Sequence, residues 1–140
     1  MNIPYSIKSL LYGSNENNEE IIYENDYFIT IKDIKHNENI YHYTAWIKKD
    51  VRSLLEINKD ILDYIIDVKN NLLQKNLINS DDYVFIHFPP NIWRLHIHFV
   101  NKNYKFEALY YEIFFLNEVI ENIYINPNFY IKNVLIKSKL

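Results

Sequence analysis

Cysteine is absent from this 140-residue chain, glycine and methionine occur once each, and proline occurs four times. The lack of cysteine excludes disulfides and cysteine-ligated zinc, and is compatible with a reducing compartment. Excess positive charge is missing too. The formal net charge is −3, which offers no overall cationic field for long nucleic acid and leaves room only for a local basic pocket around a short anionic ligand. No apolar run approaches the roughly 18–20 residues of a membrane-spanning helix. The opening stretch MNIPYSIKSLLYGSNENNEE lacks a charged segment followed by an apolar one and a small-residue cleavage site, so no secretory signal is expected. The expectation is a soluble, cytoplasmic protein without a membrane partner; the nucleus, or the host cytoplasm for a viral chain, are the alternatives.

Apolar residues make up 49% of the chain and aromatic residues 16%, which favours a packed globule over disorder. The length fits one domain able to bury a core without staples. Asn, Ile, Lys and Tyr share AT-rich codons, so their abundance reports genome bias rather than chemistry.

Residues 1–18 form an N-terminal lead, expected to be partly flexible and ending in the polar stretch Ser14 to Asn18. Residues 19–140 form the domain. Strands are predicted at Ile21–Tyr23, Tyr27–Lys32 and Tyr41–Ile47, separated by turn-forming segments. Asn58 can cap a helix running to about Gln74, because Ile61, Leu62, Ile65, Val68 and Leu72 follow the helical period. A strand at Tyr83–His87 is broken by Pro89-Pro90-Asn91, and another runs over Trp93–Val100. A second helix is predicted over Glu107–Ile123, ended by Pro127, and a last strand over Phe129–Ile136. The order indicates an α+β fold: an antiparallel sheet of about five to six strands with two main helices.

The chemistry concentrates in Arg94-Leu95-His96-Ile97-His98-Phe99. Side chains alternate along a strand, so Arg94, His96 and His98 are predicted on one face, and Leu95, Ile97 and Phe99 on the core face. His87 reaches the first face if its strand pairs with this one. Such a group suits a phosphate. Arginine brings a donor fork, a neutral imidazole can attack phosphorus while its other nitrogen is held, and a second imidazole can donate to oxygen. Two rival readings fit the same residues. One is a plain polar sheet face. The other is a three-histidine zinc site of His87, His96 and His98, which Arg94 on that face would oppose by charge.

The segment His87-Phe88-Pro89-Pro90-Asn91-Ile92-Trp93-Arg94-Leu95-His96-Ile97-His98-Phe99 resembles the histidine-triad motif of the scavenger mRNA-decapping enzymes. The resemblance continues through Glu20 to Asn25, Asp33-Ile34-Lys35-His36-Asn37, Val51 to Leu54, Glu118 to Asn122, Asn126-Pro127 and Tyr130, in one collinear order over about residues 19–136. It implies the histidine-triad (HIT-like) fold, a homodimer, and no cofactor or metal. It implies His96 as the catalytic nucleophile, forming a covalent nucleotidyl-histidine, with His87, His98 and Asn91 at the phosphates and Asp33 and Lys35 at the cap. Arg94 stands where the family has its first triad histidine. There the main-chain carbonyl orients the nucleophile, and the Arg94 side chain is expected to add positive charge near the phosphates. The implied substrates are a 7-methylguanosine cap dinucleotide, a short capped RNA fragment or a related dinucleoside polyphosphate. The alternative function is a catalytically impaired cap- or nucleotide-binding protein with a degenerate triad. Tyr5, Tyr12, Trp46 and Trp93 are the candidate aromatic faces for the cationic base, with Glu19 or Glu20 as acidic partners; core or interface burial is the plainer role for both tryptophans. His36 and His42 match no catalytic position and are expected to be surface or sheet residues.

Overall fold

A computed structural model describes residues 5–90, 92–105 and 112–131. The elements are helix α1 (Tyr5–Leu11), strands β1 (Ile21–Glu24), β2 (Phe28–Lys32) and β3 (His42–Ile47), helix α2 (Lys59–Gln74), strands β4 (Tyr83–Phe88), β5 (His96–Val100) and β6 (Glu112–Phe115), and helix α3 (Leu116–Ile125). The strands form one sheet in the order β1-β2-β3-β5-β4-β6, and every neighbouring pair is antiparallel.

Two faces of that sheet do different work. Tyr43, Ala45, Ile47, Val84, Ile86, Ile97 and Phe99 point into the main core, where α2 lays down Ile61, Leu62, Ile65, Val68 and Leu72. Full burial of each such side chain is worth about 1.5–3 kcal/mol. The helix starts where Asn58 accepts a hydrogen bond from the Ile61 amide at 2.9 Å, which satisfies one of the otherwise orphaned N–H groups. Asp67 on its outer side accepts from Tyr23 Oη at 2.6 Å and Asn25 Nδ2 at 3.0 Å, tying α2 to the β1–β2 hairpin.

The second face carries a smaller apolar cluster. Ile7 and Leu10 of α1 pack on Ile29, Ile31 and Trp46, so the described part of the lead supplies a helix to this face. Gly13 follows that helix at φ 83°, a left-handed conformation that glycine adopts without steric cost.

Three expectations about elements are corrected. The second helix does not begin in the aromatic stretch: Glu112–Phe115 is a strand, with Phe85 opposite Phe115 and His87 opposite Ile113. This aromatic and β-branched run meets the open edge of β4, whose backbone groups need partners; residues 107–111 of the expected helix lie outside the described residues. Phe129–Ile131 form a helical turn rather than the start of a strand, with Tyr130 buried and its ring against Phe114 at 5.5 Å; residues 132–136 lie outside the description. The strand expected from Trp93 begins only at His96.

Candidate functional site

The register of the central strands assembles the site. Trp46 of β3 lies opposite His96 of β5, and Thr44 lies opposite His98. Phe85 of β4 lies opposite His98 on the other side. Alternation therefore puts His42, Thr44, Trp46, Phe85, His87, His96 and His98 on the face away from the main core. There they border an open cavity of about 580 Å³, closed at its sides by Ile7, Glu19, Ile92 and Tyr104 and by the segment from Lys32 to Lys35.

His96 is buried, and its Nδ1 lies 2.7 Å from the Arg94 carbonyl. A carbonyl only accepts, so Nδ1 carries the proton and Nε2 keeps its lone pair. The indole of Trp46 stacks on the imidazole at 4.2 Å between centroids, 20° from parallel. His87 and His98 stand edge-on to it at 5.4 Å and 5.0 Å. Desolvation by burial pushes the His96 pKa down to about 4, against the opposing pull of the Arg94 carbonyl. Burial is also the largest cause lowering His98, His42 and His87. The cluster is thus neutral at neutral pH, which is the protonation state a nitrogen nucleophile requires.

Arg94 departs from expectation. It precedes β5 rather than belonging to it, because Leu95 N donates to Val51 O at 2.8 Å and Arg94 N to Ile92 O at 2.8 Å, bending the chain there. Its guanidinium turns to the end of β3, where Nε donates to Ile47 O at 2.9 Å and Nη2 to Lys48 O at 2.6 Å. The side chain therefore brings no charge to the cavity, and only the carbonyl of residue 94 serves the site. The electrostatic objection to a metal raised from the sequence falls with it. Two sets of side chains have ligand atoms within 4.8 Å of one another, His87–His96–His98 and Asp33–His42–His98.

The other site residues from the sequence reading divide as follows. Asp33, Lys35, His87 and His98 border the same cavity as His96. Asn91 lies outside the described residues. Asp33 is clamped: Thr44 Oγ1 donates to Oδ2 at 2.6 Å and the Lys35 amide to Oδ1 at 3.0 Å. Ile34 between them is 98% exposed at the rim. Of the candidate aromatic faces, Trp46 borders the cavity, Tyr12 projects into solvent, and Trp93 stacks edge-on against Phe88 at 5.9 Å away from it; nothing is described of the Tyr5 side chain. Glu19 borders the cavity, and Glu20 pairs with Lys32 at 3.2 Å.

His42 is the residue that sequence reasoning missed. It is a sheet residue, the second of the two expected placements, but a buried one, and its Nε2 lies 2.8 Å from His98 Nδ1 and 3.8 Å from Asp33 Oδ2. The signal was the alternation of His42, Thr44 and Trp46 along one strand, readable once β3 is known to pair with the histidine strand.

Comparison with known proteins agrees with this picture. A family profile described as "Scavenger mRNA decapping enzyme C-term binding" matches residues 8–111. The m7GpppX diphosphatase of Caenorhabditis elegans is 27% identical over 118 residues, covering 77% of this chain and 38% of that protein. The human m7GpppX diphosphatase is 26% identical over 131 residues, covering 84% and 39%. The chain thus spans about two fifths of the length of these relatives. Among solved structures, a histidine triad protein from Clostridium difficile aligns with TM-score 0.58 at 20% identity, covering 78% of this chain and 99% of its own. A HIT family hydrolase from Clostridium thermocellum aligns with TM-score 0.59 at 20% identity, covering 77% and 100%. These neighbours share the fold: an antiparallel sheet with its helices. With the profile spanning most of the chain, the alternating histidines and the carbonyl-held His96 belong to a recognised lineage: this protein is a member of the histidine-triad superfamily, in the family of the scavenger decapping enzyme's C-terminal domain.

Proposed function

We propose that this protein is a nucleotide hydrolase of the decapping type. It cleaves a pyrophosphate linkage in a 7-methylguanosine cap dinucleotide, a short capped RNA fragment or a related dinucleoside polyphosphate. The observation that carries the reading is the 2.7 Å bond from His96 Nδ1 to the Arg94 carbonyl, which leaves Nε2 as a lone pair on a neutral ring at a cavity wall. That nitrogen attacks the phosphorus next to the methylated guanosine. An N–P bond forms as the P–O bond to the rest of the substrate breaks, and the departing oxygen leaves as a terminal phosphate. Water then attacks the same phosphorus, the N–P bond breaks back to neutral His96, and the nucleoside monophosphate departs with the water oxygen. Lys35 supplies the cation for the phosphates, and Glu19 and Asp33 are the acidic groups at the cavity for a cationic base.

The test separates nucleotides after incubation with a methylated cap dinucleotide and, separately, an unmethylated dinucleoside polyphosphate. The expected result is monophosphate release that His96→Ala abolishes, and a phosphorus-linked adduct on His96 by mass spectrometry. No cleavage of either compound would overturn the reading. A second reading, a nucleotide-binding protein without turnover, draws on arginine in the first triad position with its charge directed elsewhere. It predicts saturable binding that survives His96→Ala with no product. Homodimer formation and a cytoplasmic setting belong to the first reading; a monomeric mass at working concentration would remove the dimer.

A further inference from the structure

We infer that His42 is a positioning residue that fixes the tautomer of His98, so that His98 presents an Nε2–H donor to a substrate oxygen. The argument begins at Asp33. Its carboxylate cannot swing, because the Thr44 hydroxyl holds one oxygen at 2.6 Å and the Lys35 amide holds the other at 3.0 Å. That fixed negative charge lies 3.8 Å from His42 Nε2, beyond hydrogen-bond range but close enough to favour the positive pole of an N–H over a lone pair there. His42 Nε2 also lies 2.8 Å from His98 Nδ1. One proton stands between two neutral rings, so one nitrogen donates and the other accepts.

With the proton on His42 Nε2, His98 Nδ1 is the acceptor, and the proton of His98 must sit on Nε2. His98 Nε2 is buried and has no hydrogen-bond partner among the described residues, on a ring that borders the cavity. A buried donor without a partner costs free energy unless a ligand completes it. The opposite tautomer would aim a lone pair at an anionic substrate and repel it. Asp33, His42 and His98 thus act in series. Asp33 polarises His42, His42 orients His98, and His98 is the member of the series that donates to the substrate oxygen.

The inference rests on the reading of the cavity as a phosphate site, but its primary test needs no turnover. Long-range ¹H–¹⁵N spectra of histidine-labelled protein at neutral pH report which ring nitrogen bears the proton. The expected result is Nε2–H for both His42 and His98. His42→Gln, whose amide can still donate, keeps the His98 tautomer; His42→Leu and Asp33→Asn lose it, giving Nδ1–H or a mixture. Nδ1–H on His98 in the unaltered protein overturns the inference, as does an unchanged His98 tautomer in both His42→Leu and Asp33→Asn. Turnover of the cap dinucleotide gives the second readout. Loss of one oriented donor lowers kcat about tenfold in His42→Leu with KM little changed, and His42→Gln restores most of it. Equal kcat in the unaltered and His42→Leu proteins also overturns it. Should the unaltered protein cleave nothing, the proposed activity fails while the tautomer measurement still decides this inference.

Discussion

Burial of four imidazoles makes the stability of this protein depend on pH in a calculable direction. His96 is the sharpest case, with its pKa lowered from 6.5 to about 4 by desolvation. The unfolded chain takes up this proton near 6.5, the folded chain only near 4. Between those values the unfolded state binds more protons, so folding stability falls as pH falls. The contribution is fully present above 6.5 and lost towards 4. At about 1.4 kcal/mol per pKa unit the gap corresponds to an effect on the order of 3 kcal/mol. His98, His42 and His87 are lowered for the same first reason and add to it with the same sign. Carboxylates also protonate at the lower end of this range, so the informative quantity is a difference. Urea unfolding of the unaltered protein and of His96→Gln, followed between about pH 7 and pH 4.5, should show a shallower loss in the variant, by roughly 2–3 kcal/mol. The His96 ring resonances should titrate near 4. A midpoint near the ordinary value of about 6.5, or identical pH slopes for the two proteins, would refute the claim that His96 is held neutral by burial.

Arg94→Met keeps the aliphatic stem but strips the Ile47 and Lys48 carbonyls of their donor; at about 1–1.5 kcal/mol for each lost bond, denaturant melts should show a loss of about 2–3 kcal/mol. The His96 Nδ1–H signal should persist in that variant, because its acceptor is main chain. Trp46→Ala removes both the stack on His96 and part of the second-face cluster, and should cost about 3–5 kcal/mol in the same melts, with Trp46→Phe recovering most of it. Ile34→Ser should leave the melting temperature unchanged, since the side chain is 98% exposed. Its rim position predicts a raised KM for the cap dinucleotide in steady-state kinetics, with kcat held.

Local pattern carried some of this structure and not the rest, and the dividing line is physical. Helix α2 was legible because its apolar stripe, its cap at Asn58 and its solvated aspartates all lie within one segment. The histidine pair on β5 was legible because a period of two needs no knowledge of neighbours. Arg94 was misread because the period was carried two residues past the true start of the strand, and because its partners, the carbonyls of Ile47 and Lys48, lie 46–47 residues away in sequence. His42 was missed for a related reason. Its role exists only through the β3–β5 register, and no local rule supplies a register between distant strands. Strand β6 went the same way, since its aromatic run becomes a strand only against the edge of β4.

The substitution in the first triad position follows from which atoms of residue 94 the site uses. His96 is oriented by a carbonyl oxygen, which any residue offers, so the side chain at position 94 can serve other contacts. Arginine there ties the chain entering β5 to the end of β3 through two carbonyls, and so braces the oxygen that holds His96. It does so without bringing a permanent charge among imidazoles that must stay neutral. Under the proposed function, cationic attraction for phosphate then falls to the lysines at the cavity. Lys32 there is engaged with Glu20 at 3.2 Å, whereas Lys35 has no ion pair among the described residues. Lys35 follows the clamped Asp33 by two residues and borders the same cavity as His96. Under the proposed function the labour divides between a bowl of neutral rings, where the displacement would take place, and a rim that carries the charge. Placing the arginine's charge in the bowl would protect His87, His96 and His98 further from protonation but would leave a buried cation without the two carbonyls that now satisfy it. Arg94 is buried where it lies, and there the carbonyls of Ile47 and Lys48 offset its desolvation, while burial alone already holds the imidazoles neutral.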